Sequence, residues 1–130
     1  MKTESVETVF PTEKENERVN AAEFRSLALN LPEAVEDAHM GHPDFRVRGK
    51  IFATLGPDED WAMVKLTPEQ QASYLQAEPD VFEPCNGAWG RGGATKVQLA
   101  SAQESSLGLV LIHAWRNTAP KGLVQQFDDA

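Results

Sequence analysis

"DFRVRGKIFATLGPDEDWAMVKL", residues 44–66, alternates apolar and polar side chains around two turn signals. Phe45 and Val47 fall on one face of the first segment and Arg46 and Arg48 on the other, because successive side chains of a strand point to opposite sides. Gly49 supplies the turn into KIFATL, and GPDED (56–60) supplies a second turn into WAMVKL. Links this short permit only antiparallel pairing. The same period of two reaches back to Val35, with a further turn at Gly41–Pro43. The pattern therefore predicts strands over 35–40, 44–48, 50–56 and 60–66, and a meander of this kind needs a layer packed on one face.

The flanking segments supply that layer. VNAAEFRSLALNLP (19–32) sets Phe24, Leu27, Ala28 and Leu31 at helical spacing, and Pro32 closes the helix. Thr67, Pro68 and Gln70 spell a helix start, with Thr67 as the cap and Gln70 placed to reach back, and the helix runs to about Ala77. The stretch EPDVFEPCNGAWGRGGA (78–94) reads as an irregular connection, and TKVQLA (95–100) resumes as a strand. Ser101 and Glu104 form a second capping box ahead of an apolar face built by Leu107, Val110, Leu111, Ala114 and Trp115, in a helix that ends near Pro120 and Gly122. The order is helix, four strands, helix, strand, helix. This is an α+β fold of two layers, an antiparallel sheet with helices packed on one face.

Residues 1–18 are dominated by Glu, Lys, Thr, Asn and Ser and read as a disordered tail, because so few apolar groups cannot offset the entropy of ordering. A single domain is expected over 19–124, with a short tail over 125–130. The chain of 130 residues carries a formal net charge of -8, which disfavours long-range attraction to nucleic acid or an anionic membrane unless a local basic patch overrides it. The N-terminus has no secretory pattern and no apolar run is long enough to span a bilayer, so a cytoplasmic protein without membrane contact is expected. Cys85, the single cysteine, excludes an internal disulfide and reads as a packing residue.

Against that acidic background, HMGHPDFRVRGK (39–50) gathers His39, His42, Arg46, Arg48 and Lys50. The cations stand on the outer face of a hairpin, either as a basic wing or as a solvated surface paired with Glu36, Asp37 or Asp44. His39 and His42 flank a turn and lack a third ligand at recognisable spacing, so no metal is expected. The glycine-rich loop 85–96 offers Trp89, Arg91 and Lys96, either to a ligand or as a turn in which Trp89 folds back on the core. No nucleophile elbow, paired carboxylates or Cys–His spacing points to catalysis, and no cofactor is expected.

Taken together, LNLPEAVEDAHMGHPDFRVRGKIFATL, VKLTPEQQASYL, GAWGRGGATKVQL and HAWRNTAPKGL resemble the MmcQ/YjbR family over roughly residues 20–123. The family's pattern falls on Pro43, Phe45, Arg46, Gly49, Lys50, Phe52 and Ala53, and on Trp89, Gly90 and Thr95. The resemblance implies a frataxin-like or secretion-chaperone-like α+β fold and a double-wing motif predicted to bind DNA. On this reading the chain is a small binding module rather than an enzyme. Its DNA contacts would be Arg46, Arg48, Lys50, Arg91 and Lys96, with His39, His42 and Trp89 as ligand-binding residues; the alternative is a protein-interaction or chaperone-like module that uses an exposed sheet face.

Overall fold

Two tight turns shape the sheet. Met40-Gly41 and Arg48-Gly49 have positive φ at both positions (50° and 80°, 51° and 82°), the combination whose twist matches that of paired strands. They join β1 (Ala34–His39), β2 (His42–Val47) and β3 (Lys50–Leu55), and a longer turn leads to β4 (Trp61–Lys65). With β5 (Phe82–Pro84) and β6 (Ala94–Gln98) the strand order is β1-β2-β3-β4-β6-β5, and every pair is antiparallel. The computed structural model describes residues 19–130, so the tail expected over residues 1–18 lies outside the described residues.

One face of the sheet is the floor of the core. Phe45, Val47, Phe52, Leu55, Ala62, Val64 and Val97 are fully buried there. Phe45 pairs with Ala53 and Arg46 with Ile51, so Phe52 is an extra residue on β3, and this bulge turns its ring inward. Above it lie α1 (Ala21–Leu29) and α4 (Glu104–Thr118), with α2 (Pro68–Ala77) over the β5–β6 end. Phe24 of α1 meets the Phe45 ring edge-on at 5.6 Å. Trp115 of α4 is buried completely, and its Nε1–H donates to the Pro32 carbonyl at 2.9 Å.

The structure is the expected two-layer α+β fold, with three corrections. The connection 78–94 contains a strand, β5, and a short helix, α3 (Gly87–Arg91). Both escape local pattern: β5 is three residues held by β6, and a five-residue helix is too short to show a period. The closing helix stops at Thr118, and α5 (Lys121–Asp129) follows, so residues 125–130, expected as a tail, are mostly helical. Phe127 anchors α5 by packing on the Trp115 ring at 5.1 Å.

The third correction concerns caps. Thr67 and Gln70 form the expected reciprocal box, Gln70 N–H donating to Thr67 Oγ1 at 3.1 Å and Thr67 N–H to Gln70 Oε1 at 3.0 Å. Ser101 instead ends a 3-10 turn, Leu99–Ser101, and α4 starts after Gln103 without a side-chain cap. Among the described residues no helix is long and apolar enough to cross a membrane.

Candidate functional site

The face of the sheet turned away from α1 and α4 carries the polar members of the alternation. Because Phe45 and Val47 enter the core, Asp44 and Arg46 point the other way. The pairing register extends this into one row across all six strands: Asp37, Asp44, Thr54, Met63, Lys96 and Glu83.

At one end, the two-residue turn sets His39 directly opposite His42, and their rings stack with centroids 5.9 Å apart and planes 24° from parallel. One row further in lies Asp44, which has no solvent exposure. Arg46 grips it from both sides, Nε donating to Oδ1 at 2.8 Å and Nη2 to Oδ2 at 3.0 Å, and His39 Nδ1 lies 2.7 Å from Oδ2. The Arg46 guanidinium holds the Asp44 carboxyl below the usual aspartate range; burial opposes this and the bond from His39 reinforces it. An ionised carboxylate only accepts, so the proton sits on His39 Nδ1. In the uncharged tautomer that this contact selects, Nε2 is an acceptor, and it has no partner among the described residues.

The opposite wall is built by α3. A Cβ at Gly90 would lie 1.7 Å from the Cys85 carbonyl oxygen, so only glycine lets this helix sit so close to its own approach strand. Buried Gln71 of α2 ties the same segment down: its Nε2 donates to the carbonyls of Gly90 and Ala94 at 3.0 Å and reaches Thr95 Oγ1 at 3.2 Å. On this fixed base Trp89 is 68% exposed. Between the walls runs a groove of about 600 Å³, lined by His39, His42, Trp61, Met63, Cys85 and Trp89, among others. Lys96 at its edge lies 5.1 Å from the Trp61 ring centre and 3.7 Å from Glu83. Burial pushes the Cys85 thiol up, so it stays protonated at neutral pH and is a poor nucleophile.

The structure thus gathers His39, His42 and Trp89 into one groove and does not bring the five cations into a single patch. Arg46 is engaged by Asp44 and, at 3.7 Å, by Asp37. Arg48 sits in the turn and donates from Nη2 to Glu33 at 2.9 Å. Lys96 belongs to the groove, whereas Arg91 does not line it. Arg91 and Lys50 form no ion pair among the described residues. Lys50, Lys65 and Arg46 share a separate open depression of about 470 Å³. Trp89 does not fold back as a lid on the core.

Sequence reasoning named Asp37 and Asp44 as partners of the hairpin cations, as Arg46 bears out, but missed Trp61, Met63 and the contact of Asp44 with His39. The signal for Asp44 was present, since a two-residue turn at Met40-Gly41 places His39 opposite His42 and diagonal to residue 44. Trp61 and Met63 carried none, because nothing local says what a strand face will meet. Among the described residues no three His, Cys, Asp or Glu side chains are gathered to hold a metal ion.

The family model described as YjbR matches residues 29–117, which span β1 to most of α4. The crystal structure of the Deinococcus radiodurans protein DR2400, with the family-model domain DUF419, is similar in fold. It is 19% identical, with a TM-score of 0.66 over 78% of this chain and 79% of that one. No curated protein matches the sequence.

Proposed function

This chain belongs to the YjbR family, and we propose that it works as a small cytoplasmic binding module that takes its ligand in the groove on the open sheet face, without chemistry of its own. One observation carries the reading: Trp89 presents an exposed indole from a base immobilised by the Gly90–Cys85 approach and the Gln71 hydrogen bonds. An aromatic left in water on a backbone already fixed in place is positioned for a partner, since binding then orders only the side chain. A volume of about 600 Å³ suits a small molecule. The groove offers no activated nucleophile, which favours binding over catalysis.

The test follows the three indole N–H resonances during titration with small-molecule fragments. Ligands should move the Trp61 and Trp89 signals and leave Trp115, buried on the far side of the sheet, in place. Fragments that bind without moving either groove signal would refute the proposal.

A second reading, contact with DNA through the hairpin, draws support from Lys50 and Lys65, which form no ion pair among the described residues and share a depression with Arg46. It is weakened by the carboxylates that already neutralise Arg46 and Arg48. Phosphate contacts release counterions, so binding of labelled DNA should fall steeply with salt and be lost on joint Lys50→Ala and Lys65→Ala substitution. Absence of binding at low salt removes this reading.

A further inference from the structure

Resting on the groove reading, we infer that the ligand is a planar aromatic molecule with a hydrogen-bond donor, a phenolic O–H or a ring N–H, on its edge. The planar body follows from the walls. His39 and His42 are stacked together, and the exposed Trp89 indole offers a π-face that prefers an aromatic partner. Trp61 differs, because Lys96 Nζ already lies over its ring.

Charge and hydrogen-bond polarity narrow the class further. Lys96 is balanced by Glu83 and Asp44 by Arg46. Apart from the histidines, the groove therefore has no surplus charge to attract a strongly ionic ligand. When His39 is uncharged, this lining residue offers an acceptor: Asp44 fixes the proton on its Nδ1, leaving the Nε2 lone pair without a partner among the described residues. A ligand edge that donates satisfies Nε2, whereas an edge that only accepts leaves both atoms unpaired.

Two probes isolate that donor: 2-naphthol and 2-methoxynaphthalene share a ring system, and only the first has an O–H. Calorimetry at about pH 8, above the ordinary histidine range, should show 2-naphthol binding about fivefold more tightly. His39→Leu should close that gap, and Trp89→Leu should weaken both probes while preserving it. In the unsubstituted protein, 2-naphthol should also shift the His39 Nε2 nitrogen resonance, a readout independent of whether a variant folds. Equal affinities with an unmoved Nε2 signal, while both probes shift Trp89, would overturn the donor requirement and leave the groove reading standing. If neither probe binds, the ligand class is overturned, and the fragment titration decides separately whether the groove binds anything.

Discussion

His39 Nδ1 lies 2.7 Å from Oδ2 of Asp44 although the two residues are not cross-strand partners: His39 faces His42, and Asp44 is its diagonal neighbour one row further in. This diagonal makes a fully buried carboxylate the meeting point of an imidazole and a guanidinium. It also places Asp44 directly opposite Asp37, a like-charge pair made tolerable by Arg46, which lies within ion-pair distance of both.

Asp44→Asn should lower stability by about 1.5–3 kcal/mol at neutral pH, the usual worth of hydrogen bonds to a charged group. The pH dependence has a definite sign. Asp44 has a depressed folded-state pKa, so at acid pH the unfolded chain takes up the proton first. Its contribution is complete above the ordinary aspartate value of about 4 and is withdrawn as pH falls below it. Urea denaturation over a pH series should show a shallower acid loss in the variant. Parallel curves would mean that Asp44 is not the group responsible.

Gln71→Leu removes the donor shared by the Gly90 and Ala94 carbonyls and Thr95 Oγ1. The Gly90 and Ala94 carbonyls keep backbone partners in Gly93 N–H and Cys85 N–H, so the expected cost is that of the lost bonds, about 0.5–1.5 kcal/mol each. Because these bonds anchor α3, Trp89 should gain motion, which fluorescence anisotropy decay in a Trp61→Phe background would register. Destabilisation with an unchanged Trp89 signal would separate the anchor from the indole.

Glycine substitutions at two helical positions should act in opposite directions. Gly90→Ala drives a methyl group into the Cys85 backbone, and such overpacking destabilises by about 1–3 kcal/mol. Gly108→Ala in α4 meets nothing within 4 Å and should stabilise by up to about 1 kcal/mol, the helix-propensity difference. Thermal denaturation of the two variants side by side checks both signs.

Phe127→Ala strips the half-buried ring that packs on Trp115 from α5. A loss of about 1 kcal/mol is expected, part of the value of burying a whole aromatic side chain. Trp115 emission should shift to longer wavelength as water reaches its edge. An unchanged spectrum would show that α5 is dispensable as its cover.

Where the physics is local, the sequence by itself determined the outcome. The alternation of Phe45, Arg46 and Val47, the turn at Gly49 and the Thr67–Gln70 box each depend on residues within a few positions of one another, and each is present in the fold. The layer order followed from them. The pairing of Arg46 with Asp37 and Asp44 lay within reach of the sequence, whereas what His39, Arg48 and Lys96 touch was decided only in three dimensions. Arg48 meets Glu33, 15 residues away, and Lys96 meets Glu83 across the β5–β6 pair. Residues 39–42 and 83–89 line one groove only in the assembled sheet, where β6 pairs with β4 and carries β5 with it. Strand order is chosen by burial of the whole apolar face, a property of the assembled sheet that no window of sequence contains. For that reason the pairing of His39 with Asp44, and the groove between them and Trp89, belong to the tertiary structure.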